Sequence, residues 1–212
     1  QVLSLYYECK LAPEYRLFIS RNVLKLLPET VDDWVHRWAE PWVSGKGASE
    51  WTFHGDQYGC YNPINMQSIR VMTNSTWQTK SEFDIRWQYS HIDPDATIRN
   101  MQAIDYLGIL EAYQESVCLF HAKLKGALPP YCNCEDEKAW GSFDSSRFEH
   151  HTNHSGVESL SAETLKDIDD ITSADRVLYA AGVKRFVQDV RDLEKQYGTK
   201  ILCSEARLAK WL

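Results

Sequence analysis

At 212 residues, with 43% apolar side chains, eight tryptophans and eleven tyrosines, the chain is long and aromatic enough to bury a core and is not a disordered polymer. Its net charge of −7 argues against the basic face on which nucleic-acid binding depends. No run of about 18 apolar residues occurs, so no segment reads as a membrane span, and we expect one domain over residues 1–212.

In chain order, residues 2–10 read as a helix stopped near Pro13, and 15–27 as a second ended by Pro28. Thr30 is placed to cap a helix through Ala39, with Asp32 and Asp33 in its first turn and Pro41 beyond its end. Residues 43–61, rich in Gly, Ser and aromatics, read as a loop. Asn62 then Pro63 is a cap followed by proline at the first helical position, and predicts a helix carrying Ile64, Ile69 and Val71. Residues 73–95 show no period, and a short helix is expected at 95–104. Tyr106, Leu107, Ile109 and Leu110 read as a short buried strand that turns into a helix opening at Glu111. That helix is expected to carry Val117, Phe120, Ala122 and Leu124 toward a core, with Pro129-Pro130 as its stop. Glu111 and Glu115 fall in its first turns, where the macrodipole favours anions, and Glu111 reads as a helix-start carboxylate rather than a base. Residues 131–160 look irregular. Ser161 caps a helix from Ala162, and Thr172 or Ser173 opens the last one. There Tyr179, Val183, Phe186, Val190, Leu193 and Tyr197 alternate spacings of four and three, a packing face that Gly198 terminates.

Six cysteines are even in number, and Cys132-Asn133-Cys134 is too close for a zinc knuckle. Cys118 lies on an apolar helix face and is expected to be a buried free thiol. His150, His151 and His154 sit on an irregular stretch without an accompanying Cys or carboxylate pattern, so no metal is expected. The sequons at Asn74 and Asn153 favour a secretory compartment, the Golgi lumen or the exterior. The chain opens without Met on Val2-Leu3-Ser4-Leu5-Tyr6-Tyr7, a packed-looking start from which we expect an upstream portion.

Several segments together resemble the Golgi carbohydrate sulfotransferases, nearest their heparan sulfate and uronyl 2-O-sulfotransferase branch. Gly108-Ile109-Leu110-Glu111 with Glu115 is similar to that family's Gly-Val-Thr-Glu, x-x-Glu joint, with Leu110 where the family has Thr. Gln1 to Tyr7 looks like the tail of its Arg-Asp-Pro-x-x-Arg-x-x-Ser-x-Tyr-Tyr pattern, in which the Ser binds the donor's 3′-phosphate. His151 to Ser155, then Asp175-Arg176-Val177-Leu178-Tyr179 and Phe186, is similar to its later loop and helix, and Trp51 to Asn62 to its aromatic acceptor loop.

The resemblance implies an α/β, P-loop-kinase-like domain of which this portion is mostly helical with one or more sheet strands. It implies sulfuryl transfer from 3′-phosphoadenosine-5′-phosphosulfate to a sugar hydroxyl without a metal. Ser4, Asn153 and Ser155 would hold the 3′-phosphate end. In the family the phosphosulfate loop and the catalytic base precede the position of Gln1, so no catalytic residue is assigned here. A carbohydrate acceptor and a homo-oligomer are the partners implied. An inactive glycan- or protein-binding relative and a secreted helical interaction module remain the alternatives, and the chain's acidity suits the first.

Overall fold

A computed structural model describes residues 2–11, 27–44, 63–73, 92–144 and 156–212, without the side chains of Glu8, Cys9 and Leu11. The expected helix at 15–27 (apart from Leu27), most of the loop at 43–61 (from residue 45) and most of the aperiodic stretch at 73–95 (residues 74–91) lie outside the described residues. The described residues are mostly helical and contain no strand. They divide into two compact units, one of residues 1–97 and 153–176, the other of 98–152 and 177–212.

The first unit is built on aromatic side chains. Helix α1 (Val2–Leu11) buries Val2, Leu3, Leu5 and Tyr6 and leaves Ser4 exposed. The Tyr6 ring lies 5.7 Å from that of Trp34, and its hydroxyl donates to the Glu29 carbonyl oxygen at 2.6 Å and lies 3.0 Å from that of Pro28. A large ring is thereby buried without orphaning its polar tip. Helix α2 (Val31–Val43) begins as expected, with the Thr30 hydroxyl accepting from the Asp33 amide at 3.1 Å. It does not stop before Pro41 but runs through it. Proline removes one amide and clashes with the preceding turn; the buried face of Trp34, Val35, Trp38 and Ala39 holds the helix despite that loss.

Helix α3 (Met66–Thr73) starts later than Pro63 suggested; Asn62 lies outside the described residues and Asn65 directly precedes the helix. Ile64 and Ile69 are buried and Val71 is half-buried. Helix α4 (Pro94–Gln102) takes its cap from Asp93, whose carboxylate accepts from the amides of Asp95 (2.9 Å) and Ala96 (3.1 Å).

The second unit packs helix α5 (Tyr113–Lys125), the short helix α6 (Glu137–Trp140) and most of helix α8 (Ser173–Tyr197) with the C-terminal segment and its helix α9 (Glu205–Leu208). The stripe on α8 is as expected: Val183, Phe186, Val190 and Leu193 are buried, Tyr179 and Tyr197 pack at its margins, and Gly198 ends the helix at φ 61°. The phase of α5 differs from expectation. Its buried residues are Glu115, Ser116, Cys118, Leu119 and Ala122, while Phe120 and Leu124 are exposed. Gly126, at φ 66°, ends α5 before the prolines, which form a 3-10 turn at Pro130–Cys132.

That turn carries Cys132 back onto α5, and Cys118 is disulfide-bonded to it rather than free, with a Cα–Cα separation of 5.6 Å. Cys134 pairs with Cys203, so the two near-adjacent cysteines serve different partners. Closing 14 and 69 residues of separation, the bonds restrict the unfolded chain by about 3 and about 4 kcal/mol on the loop-entropy account.

The expected strand at 106–110 is not formed. Residues 106–109 form neither helix nor strand, with only Ile109 shown in an extended conformation, Leu110 is 81% exposed, and residues 110–112 form a 3-10 turn before α5. A short apolar run fits a strand or a packed connector equally well; here the deciding partner is a side chain, described next.

Candidate functional site

Helix α7 (Ala162–Ile171) is capped by Ser161, whose hydroxyl accepts from the Thr164 amide at 3.0 Å, and it packs on α2. The Thr164 hydroxyl donates to Asp32 and holds that carboxyl below its ordinary value, against a smaller opposing effect of burial. His36 Nδ1 meets Asp167 at 3.0 Å, and this contact raises the imidazole's affinity for its proton.

Of the three residues assigned to the donor's 3′-phosphate, the structure describes one. Ser4 is exposed in the first turn of α1, the third residue of a ten-residue helix. An exposed hydroxyl in this position can donate to an anion. Asn153 and Ser155 lie outside the described residues, as do the histidines at 150, 151 and 154 and the segment 51–62. No group of three or more His, Cys, Asp or Glu side chains among the described residues is arranged to hold a metal ion.

The joint at 105–116 is a lock rather than an open site. Ser116 Oγ accepts from the Ile109 amide at 2.8 Å and lies 2.9 Å from the Ile109 carbonyl and 2.8 Å from that of Ala112. One hydroxyl thus satisfies backbone groups that a neighbouring strand would otherwise have served. Gly108 is needed for the close approach: a Cβ there would lie 3.2 Å from Ser116 Cβ and 2.6 Å from the Tyr106 hydroxyl, itself bonded to the Ser116 carbonyl at 2.9 Å. Glu111 accepts from the Tyr179 hydroxyl, and burial first, then this carboxylate, raises the phenol's proton affinity. Glu115 is 2% exposed, and its Oε1 accepts from the Ser204 amide at 2.8 Å. Both carboxylates of the joint are therefore engaged in holding the unit together.

Two further polar devices were not visible in the sequence. In the first unit, Asn65 Oδ1 accepts from the amides of Ala174 (2.8 Å) and Asp175 (3.2 Å), at the start of α8. Asp175 in turn accepts from the amides of Gln67 (3.2 Å) and Ser68 (2.7 Å), at the start of α3. Each helix start is capped by a residue from the other segment, over 107 to 110 residues of sequence. In the second unit, Glu194 Oε1 accepts from the amides of Ile201 and Leu202, both at 2.8 Å, with Lys200 at 3.2 Å.

Burial pushes the Glu194 carboxyl up, but those amides and Lys200 together outweigh it and leave it below its ordinary value of 4.5. A carboxylate lowered on folding stabilises the fold above its unfolded pKa, and the contribution is lost as pH falls through the folded one. Glu194→Gln is therefore expected to flatten the loss of stability below about pH 4.5, read from urea midpoints at stepped pH. An acid slope identical to that of the parent chain would refute this account of the C-terminal strap.

No protein-family model matches the chain, and comparisons with curated proteins and with solved structures find no match either.

Proposed function

We propose that this chain is the C-terminal portion of a carbohydrate sulfotransferase domain and contributes the hold on the 3′-phosphate end of 3′-phosphoadenosine-5′-phosphosulfate. The observation that carries the reading is Ser4: the residue aligned with the family's phosphate-binding serine is exposed on a helix whose Val2, Leu3, Leu5 and Tyr6 are buried. Asn153 and Ser155 would complete the hold. The complete domain would be α/β and P-loop-kinase-like, the acceptor a sugar hydroxyl, and the transfer in-line, with the phosphosulfate loop and the base supplied from outside these residues. The joint at Gly108–Glu115 supports the resemblance in another way. Gly108 and Glu115 of that pattern are both fixed by packing, the first against Ser116 and the second on the Ser204 amide, which gives a reason for those two residues without assigning them chemistry. Two disulfides suit an oxidising compartment, the Golgi lumen or the exterior.

The test is a calorimetric titration of the chain with 3′-phosphoadenosine-5′-phosphate, compared with adenosine 5′-monophosphate. Tighter binding of the bisphosphate is expected, and Ser4→Ala should weaken it about tenfold, the loss of one hydrogen bond to a charged group. Equal affinities, or a Ser4→Ala variant that binds as the parent does, would overturn the assignment. Mass spectrometry of the peptide bearing Asn153 is an independent check, because a glycan there could not share space with a nucleotide.

A second reading has its own observation. The net charge of −7 suits an inactive glycan-binding relative of that family. That reading would be favoured by retention on immobilised glycans without any nucleotide binding.

A further inference from the structure

The two disulfides of the second unit sit in opposite environments. Cys118 and Cys132 are both fully buried, whereas Cys203 is exposed and Cys134 half-buried. Thiol–disulfide exchange needs a thiolate to reach a sulfur in line with the bond, so access ranks the two bonds.

The exposed bond is also not what holds its segment in place. The Lys200 carbonyl accepts from the Cys134 amide at 2.9 Å. Glu194 holds the amides of Ile201 and Leu202, and Glu115 holds that of Ser204. Ile201, Leu202 and Leu208 are buried in the core. With the bond open, these anchors on both sides of Cys203 keep the two sulfurs in register, and closing again is an intramolecular event at high effective concentration.

We propose that Cys134–Cys203 is a reversible thiol-exchange site, opened by a dithiol reductant with the fold retained, while Cys118–Cys132 is a structural cross-link. A thiolate of the reductant attacks the sulfur of Cys203, the more exposed residue of the pair, and the Cys134 sulfur leaves as thiolate and takes up a proton. The reductant's second thiol then displaces Cys203, so the reductant becomes a disulfide and the protein a dithiol. Cys134 is two residues from Cys132, but the burial of Cys132 keeps the freed thiolate from passing the exchange inward.

The experiment treats the folded chain with graded dithiothreitol, quenches at timed intervals in acid, alkylates, and reads each cysteine by peptide mass spectrometry beside far-UV circular dichroism. Cys134 and Cys203 are expected to become labelled at least about tenfold sooner than Cys118 and Cys132. The dichroism should be unchanged, and oxidised glutathione should restore the bond. Joint labelling of all four, absence of selective labelling, loss of helix in step with Cys203, or a Cys132–Cys134 bond with Cys118 labelled would each overturn the proposal. Cys134→Ser with Cys203→Ser supplies a second check: it should fold with Cys118–Cys132 intact, and failure to do so would assign the exposed bond a structural role.

Discussion

Phe186→Ala is expected to destabilise the second unit by about 3–5 kcal/mol, while Phe120→Ala, on the helix packed nearby, should cost only about 1 kcal/mol. Phe186 is fully buried at the middle of the α8 stripe, among Val183, Val187 and Val190, and truncation leaves a ring-sized cavity that a close-packed core cannot collapse around. Phe120 is 43% exposed and has two edge-on ring neighbours, Tyr106 at 5.2 Å and the adjacent His121 at 6.4 Å, so its loss removes little more than those contacts. With total stabilities of about 5–15 kcal/mol, the first change leaves a protein near its unfolding threshold and the second does not. Urea unfolding followed by far-UV circular dichroism separates them. Equal losses would mean that α5 is rotated from the phase described, with Phe120 in the core.

The contrast between those two phenylalanines also marks what periodicity can convey. Helix α8 is 25 residues long, and its spacing of four and three has one apolar face, so its orientation is readable from the spacing alone. Helix α5 has two faces with apolar content. Tyr113, Val117, Phe120 and Leu124 fall on one, Cys118, Leu119 and Ala122 on the other, and the buried face includes the polar residues Glu115 and Ser116. Hydropathy favours the first face, and tertiary structure chose the second, because Ser116 serves the backbone of Ile109 and Glu115 that of Ser204. The same hydroxyl explains the misplaced strand: an extended segment needs acceptors and donors, and here a serine seven residues on provides them. Local caps at Thr30 and Ser161 were legible because both partners are within three residues. The disulfide of Cys118 was not, since the Gly126 turn and the prolines that return Cys132 to the helix are a property of the folded chain. For the site, Ser4's place on a helix was legible, whereas the engagement of Glu111 and Glu115 depends on Tyr179 and Ser204, 68 and 89 residues away.

Asn65→Ala is the second large effect, an expected loss of about 2–3 kcal/mol from the first unit. Two costs combine. Asn65 sits at φ 41°, a left-handed conformation that asparagine tolerates and alanine resists by about 1 kcal/mol. Its side chain is 1% exposed, and removing Oδ1 leaves the amides of Ala174 and Asp175 without their acceptor, a further 1–2 kcal/mol or so for a lost helix cap. Asn65→Gly relieves the first cost alone and should recover about 1 kcal/mol. The reciprocal change, Asp175→Ala, uncaps α3, and because each cap is held by the other segment the double variant should be non-additive by about 0.5 kcal/mol or more, as for residues in one hydrogen-bonded network. Burial raises the Asp175 carboxyl above its ordinary value, more than the Ser68 and Gln67 groups lower it. A carboxyl raised on folding holds its proton more tightly in the folded state, so stability is lost as pH rises through the folded pKa. Asp175→Asn keeps an acceptor without the buried charge and should therefore cost less than alanine at neutral pH. Unfolding midpoints at pH 7 for the four single variants and the Ala pair decide the matter. Additive losses, or an Asn65→Ala variant within about 0.5 kcal/mol of the parent, would show that the two helix starts are held independently.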